Sequence, residues 1–105
     1  MKFGLREEIY DKIQNITQKY KYEFYIFGSR ARGDFRNNSD IDIAIFGDVS
    51  LEDEMKIKNE FDEIDMEYMM DIIFVSQIAN VNLLENIKKE GVIIKWKDSK
   101  NVEEI

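Results

Sequence analysis

The 105-residue sequence contains no cysteine and no histidine. Without cysteine there is no disulfide framework, no thiol nucleophile and no zinc–thiolate centre; without histidine there is no imidazole base and no Ser-His-Asp triad. Acid–base or metal chemistry must therefore run on carboxylates. Oxygen-only sites favour hard cations such as magnesium or manganese, which makes a phosphate-handling reaction a natural candidate. Long apolar runs are also missing: none approaches the roughly 20 residues of a membrane-spanning helix. The start, Met1 to Glu8, becomes charged too early for a signal peptide, so the expected location is the cytoplasm, with no membrane contact.

With 44% hydrophobic and 35% charged residues and no low-complexity tract, the composition is that of a soluble globular chain. The length suits one domain over residues 1–105, with one core, and is too short for a catalytic domain plus a separate substrate-gripping one. A net charge of -7 repels a nucleic-acid backbone and favours a cationic or protein partner over direct nucleic-acid binding. Against that background three of the four arginines, Arg30, Arg32 and Arg36, fall within seven residues, a local basic patch suited to a triphosphate. The bland alternative is that they balance Asp34 and other nearby acids. The acidic stretch Asp48 to Glu67 reads first as a solvated helix face that could also meet a basic partner.

Leu5, Ile9, Ile13, Ile16 and Tyr20 recur at helical spacing and predict a first helix over about residues 5–19. Tyr22 to Phe27 reads as a strand ended by Gly28-Ser29, and its aromatics as core rather than as base-stacking platforms. Residues 30–39 form a loop with one helical turn at its start, and Ile41 to Phe46 a second strand. Ser50-Leu51-Glu52-Asp53 resembles a capping box, opening a helix whose apolar stripe is Leu51, Met55, Phe61 and Ile64. Met69 to Val75 is a third strand. Asn82 to Glu90 is a third long helix, with Leu83, Leu84 and Ile87 on one side and Gly91 as its stop. Val92 to Trp96 makes a last short strand, and the tail from Lys97 is expected to fray. This order implies an α/β (α+β) fold: a small mixed sheet of about four strands covered by helices.

Strand side chains alternate, so Asp40 and Asp42 project from one face while Ile41, Ile43 and Ile45 point the other way. Beyond Asp42 the same face continues with Ala44 and Phe46, leaving the aspartates as the polar interruption of an apolar strand. Like charges at the edge of a core repel and are desolvated unless something positive compensates, and a divalent cation would do so. Asp71 repeats the oddity inside Met69 to Val75. Were its strand beside the second one, three carboxylates would converge on one or two magnesium ions. Otherwise Asp71 marks a strand start at the surface, Asp40 a loop boundary and Asp42 an outward position. Gly28 permits close backbone approach, and the amides that follow it, helped by the Ser29 hydroxyl, make a nest for phosphate oxygens; the plain alternative is a strand-ending turn.

The stretch Gly28-Ser29-Arg30-Ala31-Arg32-Gly33-Asp34, leading to Ser39-Asp40-Ile41-Asp42-Ile43 with a later strand aspartate, resembles the signature of polymerase-beta-type nucleotidyltransferases. It is most similar to their smallest branch, the MNT proteins, typically antitoxins encoded beside HEPN ribonuclease toxins. The resemblance implies a nucleotidyltransferase fold and Mg2+-dependent (or Mn2+-dependent) transfer of AMP from ATP to a hydroxyl, that of a tyrosine, on a HEPN-type toxin. By the same resemblance Gly28 and Ser29 hold the triphosphate, Asp40 and Asp42 bind metal, and Asp71 completes one metal site and helps deprotonate the acceptor. Arg30 and Arg32 become candidates for phosphate or structural contacts. Two other functions stay open: a small-molecule, aminoglycoside-like nucleotidyltransferase, and a non-catalytic antitoxin that occludes its toxin.

Overall fold

The computed structural model describes residues 2–94. Its long helices are α1 (Glu7–Thr17), α3 (Leu51–Asp62) and α4 (Val81–Glu90), with a single-turn α2 (Ser29–Arg32). The strands are β1 (Glu23–Phe27), β2 (Ile41–Phe46), β3 (Met70–Phe74) and β4 (Val92–Ile93). They form one four-stranded sheet in the order β3-β2-β1-β4. β1 runs antiparallel to both β2 and β4, while β3 lies parallel to β2 at the edge. A parallel neighbour needs a crossover, and α3 provides it. The mixed α+β sheet expected from the sequence is thus the one observed. Trp96 at the end of the expected last strand, and the tail from Lys97, lie outside the described residues.

The sheet separates two apolar clusters of unequal size. On one face Ile41, Ile43 and Ile45 of β2, with Phe24 and Ile26 of β1 and Phe74 of β3, pack against Leu5, Ile9, Ile13 and Ile16 from the N-terminal part and Ile57 and Phe61 of α3. On the other face Phe27, Ala44 and Ile87 form a small cluster, with Tyr25, Phe46, Ile73 and Leu83 partly buried around it. α1 and α3 therefore cover one face and α4 the other. Full burial of an aliphatic or aromatic side chain is worth about 1.5–3 kcal/mol, so most of the packing free energy sits on the α1–α3 side.

Helix α3 corrects the predicted stripe. Leu51 and Met55 are 73% and 60% exposed, and the buried residues are Ile57 and Phe61, with Ile64 packed beside them. At 100° per residue, Ile57, Phe61 and Ile64 share a face, whereas Leu51 and Met55 lie well off it. The helix start was legible: the Ser50 hydroxyl accepts from the Asp53 amide at 3.1 Å. α4 begins one residue earlier than predicted because Asn80 caps it, its side chain accepting from Leu83 N at 3.1 Å. Gly91 does end α4, but in extended backbone (φ -66, ψ 140) rather than the left-handed form a glycine stop suggests. A Cβ there would stand 2.5 Å from the Ile87 carbonyl oxygen, which is why no larger residue fits.

Candidate active site

The register of the sheet brings the strand aspartates together. Asp42 is the direct partner of Asp71 across the parallel β2–β3 pair and of Phe27 across the antiparallel β1–β2 pair. Paired strand residues point to the same face, so Asp42 and Asp71 stand side by side on the α4 face. Asp40 lies two residues before Asp42, just outside β2, with its side chain exposed. Asp42 is half-buried. Asp71 is exposed, since β3 is an edge strand and not the fully buried strand its apolar neighbours suggested.

The Asp42 carboxyl titrates above the ordinary aspartate value, first because burial disfavours its charge, then because Asp71 and Asp40 repel it. Arg32 and Arg30 offset part of this. Three oxygen donors with unbalanced repulsion are the donor set a hard cation takes. Among the described residues, however, no three acidic side chains already converge closely enough to hold an ion. The β2–β3 register sets Asp42 beside Asp71, and Asp40 and Asp71 are exposed.

Gly28 is built against this acid. Its φ of 74 and ψ of -154 belong to glycine, and a Cβ there would lie 2.4 Å from Asp42 Oδ2. The strand-ending glycine therefore clears space for the central carboxylate, a role the sequence did not suggest. Ser29 follows as the first residue of α2, half-buried. The turn and the acids thus adjoin, with Gly28 as their shared wall.

The three arginines do not behave as one patch. Arg30 is only 2% exposed and donates to backbone carbonyls: to Ser39 from Nε (3.2 Å) and Nη2 (2.9 Å), to Phe3 from Nη1 (2.9 Å) and to Asn37 from Nη2 (3.4 Å). Its guanidinium carbon lies 5.1 Å from the Phe35 ring centroid and 4.7 Å from that of Tyr68. Arg30, a candidate for phosphate or structural contacts, is thus enclosed by backbone carbonyls and two aromatic rings. Arg32 is exposed and pairs with Asp34 (3.3 Å) and with Glu90 at the end of α4 (3.2 Å). Hydrogen bonds to these two acids raise its pKa, so it stays a cation beside Asp42. Arg36 is exposed in the loop, where its backbone N–H donates to Ser39 Oγ at 2.7 Å.

Residues 11–100 match the family model described as polymerase beta, nucleotidyltransferase. The chain belongs to this family. A search of curated proteins returned no match. Among solved structures the chain is similar to one described as a toxin-antitoxin with AMP-PNP, at 20% identity and TM-score 0.62, covering 87% of this chain and 76% of that one. It is also similar to a protein from Sulfolobus solfataricus provisionally described as a nucleotidyltransferase, at 22% identity and TM-score 0.50, covering 87% and 80%. At these identities the likeness speaks for the fold. In a nucleotidyltransferase-family domain the ridge of Asp40, Asp42 and Asp71 beside the Gly28-Ser29 turn is the candidate site.

Two participants escaped sequence reasoning. Glu90 reaches Arg32 across 58 positions, and no local signal could have linked them. Ser39, which supplies the carbonyl that Arg30 grips, carried no signal beyond its place before Asp40. A separate open cavity of about 500 Å3 is lined by Lys19, Tyr20, Lys21, Asp53 and Lys56, near the other end of β1. It contains none of the candidate site residues, and Lys19 there is already paired with Glu60.

Proposed function

We propose that this protein transfers AMP from ATP to a tyrosine hydroxyl group of a HEPN-type toxin and thereby acts as its antitoxin. The observation that carries this reading is the pairing of Asp42 with Asp71 across β2 and β3, with Gly28 backed against Asp42. The likeness to a toxin-antitoxin structure with AMP-PNP supports the choice of partner and nucleotide.

In this reading Gly28 and Ser29 hold the triphosphate, the Ser29 hydroxyl donating to a phosphate oxygen, and Arg32 faces the same negative charge. Asp40 and Asp42 would hold Mg2+ or Mn2+, with Asp71 completing one site. A divalent cation bound there supplies positive charge to the entering and leaving oxygens of an in-line displacement. Asp71 accepts the proton of the acceptor hydroxyl as its oxygen bonds to the α-phosphorus. The bond from that phosphorus to the bridging oxygen breaks, and pyrophosphate leaves. In this reading the partner brings its own nucleophile. The net negative charge fits a basic partner: residues 48–67 hold nine acids against two lysines, equal to the -7 of the whole chain.

A second reading, stoichiometric occlusion of the toxin, is favoured by one observation, that the three carboxylates do not yet converge among the described residues. A small-molecule, aminoglycoside-like acceptor has no comparable support. One experiment separates them. The partner toxin is incubated with this protein, ATP and magnesium, and weighed by mass spectrometry; AMP transfer adds about 329 Da or multiples of it. The double variant Asp40→Asn with Asp42→Asn should fold, yet neither modify nor protect. Full protection by that variant with no mass change would establish occlusion instead.

A further inference from the structure

Asp40 presents a physical problem. It stands outside the strand that carries Asp42, since the first β2 residue is Ile41, whose amide donates to Met69 O at 2.8 Å. The sheet therefore holds Asp42 and Asp71 but not the peptide that enters Asp40. An exposed loop residue without such a hold samples many orientations, and an oxygen donor set needs its members placed to within a fraction of an ångström.

The missing hold comes from Arg30. The Ser39 carbonyl belongs to the peptide plane that leads into Asp40, and it accepts two bonds from the same guanidinium, at 3.2 and 2.9 Å. Further bonds to Asn37 O and Phe3 O tie the same group to the middle of the loop and to the N-terminal segment. The Phe35 and Tyr68 rings, at 5.1 and 4.7 Å, complete its surroundings. Arg30 itself sits in α2, two residues after Gly28, so one rigid group bridges the turn on the phosphate side and the acid on the metal side.

Two features argue that this is more than packing. A buried cation is costly, and an apolar side chain of like volume would fill the space without that cost. Yet among the described residues no carboxylate pairs with Arg30; its bonds go to carbonyls, two of them in the loop that delivers Asp40. In addition, the Phe3 carbonyl is presented from a backbone at φ 56, left-handed and unusual for a residue with a side chain. Gly4, at φ 72, follows it, and the Phe35 ring occupies the place where a Cβ of Gly4 would stand. Strained backbone of this kind persists where the surroundings over-determine it.

We propose that Arg30 is a positioning residue: it clamps the Ser39–Asp40 peptide and so fixes Asp40 relative to the Gly28-Ser29 turn and Asp42. This rests on the reading of Asp40 as a metal ligand. Lysine cannot replace it, because a point charge with three freely rotating donors cannot grip one carbonyl twice while reaching two others.

The test uses Mn2+ alone as the probe, its binding followed by electron paramagnetic resonance, together with amide hydrogen exchange at Asp40. Arg30→Lys should weaken Mn2+ binding by about tenfold, the usual scale for losing the support of a ligand, and speed exchange at Asp40. Phe35→Leu, which loosens one side of the clamp without touching the charge, should shift both readouts in the same direction by less, and it decides the matter if Arg30→Lys does not fold. Ile13→Val, a destabilising change in the remote core, should leave both as in the wild type. Wild-type Mn2+ affinity and exchange in the folded Arg30 and Phe35 variants would overturn the positioning role while leaving the proposed reaction intact. A wild-type protein that binds no Mn2+ would instead overturn the metal reading of Asp40, and the positioning role with it.

Discussion

The two faces of β2 come from alternate residues of one strand and do opposite things. Ile41, Ile43 and Ile45 are fully buried beneath α1 and α3 in a large cluster. Asp42 and Ala44 face the other way, where α4 supplies chiefly Ile87 and Leu83. The contrast teaches where a small domain can keep uncompensated acids. Desolvated carboxylates destabilise a fold, so they are carried on the thinly covered face while the opposite face provides the packing that tolerates them.

The strongest way to break the comparison is at its packed side. Ile43→Ala should cost about 2–5 kcal/mol in urea denaturation, because Ile43 is fully buried in the large cluster. A loss below about 1 kcal/mol would mean that this face is not the main source of stability.

Asp42→Asn sharpens the other side and should move stability the opposite way. The folded protein holds the Asp42 proton more tightly than the unfolded chain does, through burial first and then repulsion from Asp71 and Asp40. Below the ordinary value of 3.8 both states are protonated and there is no penalty; as pH rises through the elevated folded value the penalty becomes complete. In metal-free buffer the Asn variant should therefore melt above the wild type at neutral pH, and the gap should close as pH falls below 3.8. A gap that is independent of pH would contradict the electrostatic account.

The smallest effect is expected at Leu51, on the solvent side of α3. Leu51→Ala should change stability by no more than about 0.5 kcal/mol, because the side chain is 73% exposed and touches neither cluster. A core-sized loss in thermal denaturation would restore the stripe predicted from the sequence.

Much of the fold was legible because its signals are local. Strand alternation in Ile41 to Phe46, the Ser50 cap and the α1 periodicity each depend on neighbours a few residues apart, and the sheet class followed from their order. Within the site, the alternation that turns Asp42 away from Ile41 and Ile43 was readable for the same reason, whereas Asp40 lies just outside β2. The packed face of α3 was not: Leu51 and Met55 are as apolar as the residues that line it, and only the position of the sheet decides which side of a mixed helix is covered. Nor was the fate of the arginines, since Arg30 and Arg32 lie two residues apart and end in opposite environments, one buried among carbonyls, the other exposed between Asp34 and Glu90.

By itself the sequence determined the chemistry available to this protein: carboxylates and no imidazole or thiol, a glycine-serine turn, and aspartates at strand positions. Composition and short-range spacing are properties of the chain that no fold can alter. Tertiary structure decided which of these groups meet. Asp71 comes beside Asp42 through the β2–β3 register, Gly28 comes against Asp42 through the β1–β2 pairing, and Arg30 turns inward to hold the peptide before Asp40. Such contacts depend on the relative placement of separate elements, which is set by the burial of the opposite face and leaves no mark on the residues that meet.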